Sequence, residues 1–243
     1  MSVIQLPLFY DKSHMLWMTK LTVGPNPVQV AVDTGSPYLV VNSSQCRSCP
    51  LEYGTYNQWV PHSGSDRLVY ATQRVKVDFR KDIVHELGQL LTFGAAVADQ
   101  TTQMAPVNVL GLQYSDDPRS VCAQLGMPAI TLNFKKRMLF INAIDRNVTF
   151  LKWTNPIRCT VRGPGGTAHS VRLMIDSGTS FTRGNTVPPG VPYTLNFDNG
   201  LYLNTFNQPK QSTLPGFDVV LGHRALDGRV VCWHPRLRLW GFT

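Results

Sequence analysis

Residues 30–36 read VAVDTGS, an apolar run that ends in Asp33 and is followed by a hydroxyl residue, a glycine and a second hydroxyl residue. The same order returns in residues 173–180, which read LMIDSGTS and place Asp176 at the corresponding point. Each copy is followed later by an apolar run that ends in glycine, VLG at residues 109–111 and VVLG at residues 219–222. We interpret the repeat as an internal duplication in which each half of the chain supplies one carboxylate to a shared site.

The composition is that of a folded basic protein. The chain has 243 residues, of which 43% are hydrophobic, and this content is sufficient for a packed core. Lysine and arginine number 23 against 15 acidic residues, which gives a net charge of +8 and favours acidic partners. The basic residues are scattered and no nucleic-acid-binding motif accompanies them, so we expect no specific nucleic-acid partner.

Targeting signals are not visible in the sequence. No apolar run approaches the roughly 18 residues of a membrane-spanning helix, so we expect no membrane span. The first residues, MSVIQ, do not resemble a secretory signal peptide, and the localisation therefore stays open.

The five cysteines include one close pair, Cys46 and Cys49. A zinc site would need a second close pair or histidines at ligand spacing, and the sequence has neither. A thioredoxin-like redox site would need a helix after the first cysteine, which the residues between the pair do not favour. We therefore expect a local disulfide between Cys46 and Cys49, with free thiols as the alternative, and no metal.

Short β-rich stretches separated by turn residues predict an all-β fold. Residues 74–79 alternate polar and apolar side chains, as a half-buried strand does, and residues 198–200 read DNG between two such stretches, which predicts a hairpin. One helix is predicted, with Asp117 as its cap and Gly126 as its end, and a shorter helical turn is predicted after Gly222.

The duplication predicts two domains. The sequence between the copies offers a seam near residues 140–146. We therefore expect an N-terminal lobe at residues 1–142, which contains Asp33, and a C-terminal lobe at residues 143–243, which contains Asp176.

Taken in order, these segments resemble the pepsin-like aspartic proteases, the eukaryotic type with two inequivalent lobes. Residues 16–24 are similar to the strands that lead to the family's first aspartate, and residues 68–72 are similar to the start of its flap. Residues 91–94, 109–112 and 219–242 match later segments of the family. The resemblance implies a bilobal fold of two duplicated β-barrel-like lobes with a cleft between them.

The resemblance also implies a role for each matched residue. Asp33 and Asp176 would hold a nucleophilic water. Residues beside them would support the pair through hydroxyl groups or backbone amides, and they are Thr34, Gly35, Ser36, Ser177, Gly178 and Thr179. Ser36 and Thr179 would hydrogen-bond the outer carboxylate oxygens, and Thr34 and Ser177 would tie the lobes together beneath the pair. Tyr70, Ala71 and Thr72 would form the part of the flap that covers the substrate, and Cys46 and Cys49 lie where the family closes a small disulfide loop.

The implied activity is hydrolysis of peptide bonds without a covalent intermediate or cofactor. The implied partner is an extended polypeptide with apolar residues beside the scissile bond, the implied pH optimum is acidic, and we expect a monomer. The resemblance suggests a secretory or acidic lumenal compartment, although no signal peptide is visible and the localisation stays open. Two departures from the family matter: Val40 replaces a tryptophan that steadies the flap tyrosine, and Arg74 brings a cation to the flap. The alternative is a catalytically weak or inactive protein of the same fold that binds or inhibits.

Overall fold

Each of the two repeats lies in its own structural unit. The computed structural model describes residues 2–70, 74–99, 108–152, 157–163, 165–166, 168–184, 190–198, 200–206 and 216–243. The chain divides into an N-terminal unit, Ser2–Pro128, and a C-terminal unit, Ala129–Thr243.

The N-terminal unit is built from strands and one short helix. Its elements are β1 (Ile4–Pro7), β2 (Phe9–Asp11), β3 (Leu16–Val23), β4 (Asn26–Asp33), β5 (Leu39–Asn42), β6 (Gly64–Val69), β7 (Arg74–Val84), a 3₁₀ turn (His85–Leu87), β8 (Gln89–Asp99), β9 (Val109–Gly111) and α1 (Val121–Gln124). Eight of the strands form a sheet in the order β2-β3-β4-β9-β5-β8-β7-β6. The β4–β9 and β5–β8 pairs are parallel, and the remaining neighbours are antiparallel.

The C-terminal unit contains the second copy of the repeat. Its elements are β10 (Ile130–Asn133), β11 (Met138–Ile141), β12 (Thr149–Lys152), β13 (Ile157–Arg162), β14 (Ala168–Asp176), β15 (Arg183–Gly184), β16 (Pro192–Asn196), β17 (Tyr202–Phe206), β18 (Val219–Gly222), a 3₁₀ turn (His223–Leu226), β19 (Val230–His234), a 3₁₀ turn (Pro235–Leu237) and β20 (Leu239–Phe242). One sheet has the order β15-β18-β14-β13-β16-β17, and in another β11, β10, β19, β20 and β12 are consecutive neighbours.

The alternation of side chains explains the strands. In β7 the side chains of Val75, Val77 and Phe79 are buried, whereas Arg74 and Lys76 between them are exposed, as the sequence pattern predicts. Aromatic pairs pack edge to face in the core of each unit. The rings of Tyr56 and Phe93 lie 4.9 Å apart in the N-terminal unit, and those of Phe197 and Trp240 lie 5.3 Å apart in the C-terminal unit.

The described chain divides between residues 128 and 129, whereas the sequence predicts lobes that meet between residues 142 and 143. The reason is strand pairing. Strand β10 pairs with both β11 and β19, so the residues that read as a seam are hydrogen-bonded into a sheet with the end of the chain.

The predicted helix is present but begins later than expected. Its N-cap is Ser120, whose Oγ accepts a hydrogen bond from the Ala123 amide at 3.2 Å. The Asp117 carboxylate instead accepts hydrogen bonds from the backbone and side chain of Arg119. The hairpin predicted at residues 198–200 is confirmed by the antiparallel pairing of β16 with β17, and the helical turn after Gly222 is confirmed by His223–Leu226. No helix within the described residues is long and apolar enough to cross a membrane.

Candidate active site

Asp33 is held at the end of a central parallel strand. Strand β4 pairs with β9 in a register that places Asp33 beside Gly111. The carboxylate Oδ1 accepts a hydrogen bond from the Gly35 amide at 2.7 Å, and the residue is 8% exposed. The backbone hydrogen bond fixes the position of the carboxylate. The small exposed fraction means that Asp33 also reaches the surface of its unit.

Asp176 has the same surroundings in the C-terminal unit. Strand β14 pairs in parallel with β18, and Asp176 lies beside Gly222. Its Oδ1 accepts a hydrogen bond from the Gly178 amide at 2.9 Å, and it is also 8% exposed. The two copies of the sequence repeat therefore fold with the same backbone geometry. We refer to each aspartate, together with its pair of parallel strands and the loop that follows it, as a half-site.

Each half-site contains a glycine that no larger residue can replace without movement. A Cβ on Gly111 would lie 2.6 Å from the carbonyl oxygens of Ser36 and Tyr38, and one on Gly222 would lie 2.7 Å from that of Thr179. The loop that follows each aspartate crosses directly over this glycine. The Gly111 amide donates to the Tyr38 carbonyl at 2.9 Å, and the His223 amide donates to the Thr179 carbonyl at 2.9 Å.

The outer hydroxyl groups differ between the half-sites. Thr179 Oγ1 donates to Asp176 Oδ2 at 2.6 Å. Ser36 Oγ is buried and makes no hydrogen bond to any residue that the structure describes, so the bond expected from Ser36 to Asp33 is not formed there. Thr34 is half-buried and Ser177 is buried, and the roles expected for these two residues stay predictions.

Tyr70 directly follows strand β6 in the hairpin that β6 forms with β7, which is the hairpin expected to be the flap. Its ring contacts a buried cluster that includes Val40, Leu68 and Val75. The hydroxyl is buried and has no hydrogen-bond partner within the described residues. Burial raises the pKa of Tyr70, and the nearby Asp33 raises it further. Ala71 and Thr72, the other residues expected in the flap, lie outside the described residues.

The expected disulfide between Cys46 and Cys49 is confirmed, with an S–S distance of 2.08 Å. Both cysteines belong to the apolar cluster against which Tyr70 packs. The other three cysteines, Cys122, Cys159 and Cys232, are buried thiols. Burial raises the pKa of Cys122 and of Cys159 to about 12, so these two stay protonated and unreactive at ordinary pH.

A polar network that contacts strand β7 through Phe79 was not identified from the sequence. Tyr38 donates from its hydroxyl to Asp117 Oδ2 at 2.8 Å, and Arg119 binds the same carboxylate through Nη2 at 2.7 Å. The Arg119 guanidinium also lies over the ring of Phe79, 4.4 Å from its centroid. The only sequence signal for this network is the short spacing of Asp117 and Arg119, and the sequence predicts the start of a helix in this segment.

The close approach at the two glycines can be tested by adding one methyl group. We expect Gly111→Ala and Gly222→Ala each to lower the free energy of unfolding by about 3 kcal/mol, because the added Cβ would force backbone to move. Thermal unfolding followed by circular dichroism measures the effect. The matched control is Gly163→Ala, whose Cβ would meet nothing within 4 Å. Equal stability of Gly111→Ala and this control would contradict the packing described.

The network at Asp117 predicts a pH-dependent contribution to stability. The hydrogen bonds from Arg119 hold the pKa of Asp117 below its ordinary value of 3.8, so the unfolded chain takes up a proton first as the pH falls. We expect Asp117→Asn to lower stability by about 1 kcal/mol near neutral pH. This difference from wild type should shrink below about pH 4.

Thermal unfolding of both proteins between neutral pH and about pH 2 measures this difference. The control is Asp116→Asn, since the side chain of Asp116 is exposed and accepts a hydrogen bond from Tyr114. A difference between Asp117→Asn and wild type that is constant over this range would argue against an ionised Asp117 in the network.

Comparison with known proteins bears on the fold. No protein-family model matches the chain, and no curated protein sequence matches it. Among solved structures, the aspartic proteinase from Irpex lacteus is similar, with a TM-score of 0.75 over 100% of this chain and 97% of that chain, at 12% sequence identity. The chain therefore has the all-β fold of the pepsin-like aspartic proteinases, as the sequence predicted.

Proposed function

We propose that this protein is an aspartic endopeptidase that hydrolyses peptide bonds with a water molecule held by Asp33 and Asp176. The observation that carries the proposal is the repeated geometry of the half-sites. In each, a parallel strand ends in a buried aspartate, a glycine amide donates to Oδ1, and a second glycine supports the loop. A structural turn aspartate would have no reason to be reproduced with these contacts in a second unit.

The proposed reaction needs one ionised carboxylate and one protonated carboxyl group. Two carboxylates that share a site cannot both ionise cheaply, so they hold one proton between them. The ionised member takes a proton from water as the water oxygen attacks the scissile carbonyl carbon, and the protonated member donates to the carbonyl oxygen. A proton then passes to the amide nitrogen, the C–N bond breaks, and an acid and an amine are released.

The hydrogen bonds that the two carboxylates accept support these two roles. The Gly35 and Gly178 amides each hold one oxygen of the neighbouring carboxylate. Both carboxylates are therefore oriented before a substrate binds. Thr179 fixes the second oxygen of Asp176. The substrate would be an extended polypeptide covered by the flap, with Tyr70 packed beside its apolar side chains. No metal or organic cofactor takes part in the proposed reaction.

A second candidate function is peptide binding without efficient hydrolysis. Two observations favour it. Within the described residues, the buried hydroxyl of Tyr70 makes no hydrogen bond, and Ser36 Oγ makes none to the Asp33 carboxylate. The side chain of Val40 has no hydrogen-bond donor for Tyr70, whereas the family that the chain resembles has a tryptophan at this position. In this case the protein would bind peptides through the same half-sites and release them intact.

Substitution of the aspartates separates the two functions. We expect Asp33→Asn and Asp176→Asn each to reduce cleavage of a peptide library by at least about 10³-fold, because an amide can neither accept nor donate the required proton. The unfolding temperature should change little. Asp116→Asn is the control for loss of a carboxylate outside the half-sites. Turnover retained in either variant would remove that residue from the mechanism, and no turnover in wild type would favour the binding function.

The shared proton predicts an acidic optimum. We expect cleavage of the library between about pH 3 and pH 7 to be fastest in the acidic part of the range, because the singly protonated pair is lost as the pH rises. A statine-type inhibitor, whose hydroxyl replaces the attacking water, should abolish the activity. A rate that peaks above neutrality, or one insensitive to the inhibitor, would contradict the mechanism.

A further inference from the structure

One face of the β6–β7 hairpin carries a cluster of cations. Three cross-strand pairs lie side by side on this face, and they are Ser65–Asp78, Arg67–Lys76 and Val69–Arg74. We refer to these six residues as the outer face. The opposite face holds the buried Leu68, Val75 and Val77. Alternation along the strands therefore directs Arg67, Arg74 and Lys76 to solvent on one side of the hairpin.

The arrangement of these cations is unfavourable for the folded protein by itself. Arg67 lies directly opposite Lys76, and Arg74 belongs to the next pair on the same face. Like charges in opposed positions of an antiparallel pair destabilise it. The neighbouring Ser65–Asp78 pair, by contrast, is joined by a hydrogen bond of 2.6 Å between Ser65 Oγ and Asp78 Oδ1.

The acidic residues of the hairpin do not neutralise this charge. Asp66 lies on the opposite face and pairs with Arg119 at 3.5 Å. Asp78 accepts from Ser65 and lies 4.0 Å from the largely buried Arg80. Among the residues that the structure describes, no ion pair involves Arg67, Arg74 or Lys76. The three charges are thus available to an anionic ligand.

We propose that the outer face binds an acidic, extended peptide segment, which on the proposed function is a part of the substrate. Arg74 and Lys76 are two residues apart on one strand, so their Cα atoms are separated by about 6.8 Å. An extended peptide with an acidic residue at every second position repeats at the same distance. Val69, which is 72% exposed, offers an apolar contact to the residues between.

The composition of the outer face favours peptide over nucleic acid. Single-stranded nucleic acid is bound by cations together with aromatic side chains on which bases stack. The six residues of the outer face include no aromatic side chain, and the adjacent Tyr70 is packed into the cluster on the other side of the hairpin. The outer face would therefore select substrates by acidic residues outside the segment that is cleaved.

Binding can be measured without cleavage in the Asp33→Asn variant. The probe is a fluorescein-labelled heptapeptide in which aspartate alternates with valine, and fluorescence anisotropy at about pH 6 and about 50 mM salt gives its Kd. We expect the combined variant Arg67→Ala, Arg74→Ala and Lys76→Ala to raise this Kd roughly tenfold. The matched peptide with asparagine in place of aspartate should bind the unchanged surface roughly tenfold more weakly.

The control variant removes three exposed lysines elsewhere, Lys20→Ala, Lys81→Ala and Lys135→Ala, and should change the Kd less than about twofold. Thermal unfolding verifies that both combined variants are folded. Equal weakening by the two variants would mean that only net charge matters and would overturn the proposal. So would equal binding of the two peptides, or tighter binding of an oligodeoxythymidine than of the aspartate peptide. Failure of wild type to cleave peptides would contradict the proposed function and leave this binding result to stand separately.

Discussion

The half-sites depend on a parallel pair of strands in which an aspartate stands beside a glycine. The pairing of Asp33 with Gly111 and of Asp176 with Gly222 sets where each carboxylate lies. The loop after each aspartate then crosses over the glycine, at a distance that excludes any side chain. Because the constraint acts on the backbone, it holds both carboxylates in the same way although the residues around them differ.

The β6–β7 hairpin and Tyr70 are supported differently from what the family resemblance implies. The position that would hold a tryptophan is Val40, and Tyr70 is held by apolar contacts with the cluster that contains the Cys46–Cys49 disulfide. The network of Tyr38, Asp117 and Arg119 supports the same region, since Tyr38 and Phe79 contact both the cluster and the network. Its carboxylate has a lowered pKa, so the support persists in mildly acidic conditions, where the proposed reaction is fastest.

The sequence was sufficient for the fold class, the Cys46–Cys49 disulfide and the β16–β17 hairpin, because these follow from local patterns or from fixed spacing. The roles of Asp33 and Asp176 stay predictions. The sequence was insufficient where side chains compete for partners. Asp117 read as a helix cap, but its carboxylate is taken by Arg119, so Ser120 caps the helix instead. The pairing of β10 with β19 joins residues far apart in the chain, and no local pattern in the sequence indicates such a pairing. The absent bond from Ser36 depends on rotamer and distance, which spacing does not encode.

We propose that Asp33 and Asp176 hold one water molecule between them. A crystal structure of the protein bound to a statine-type peptide tests it most directly, since the statine hydroxyl takes the place of the attacking water. We predict that this hydroxyl lies within hydrogen-bond distance, about 3 Å, of a carboxylate oxygen from each aspartate. A hydroxyl bound by only one of the two, or carboxylates too far apart for one water to bridge, would contradict it.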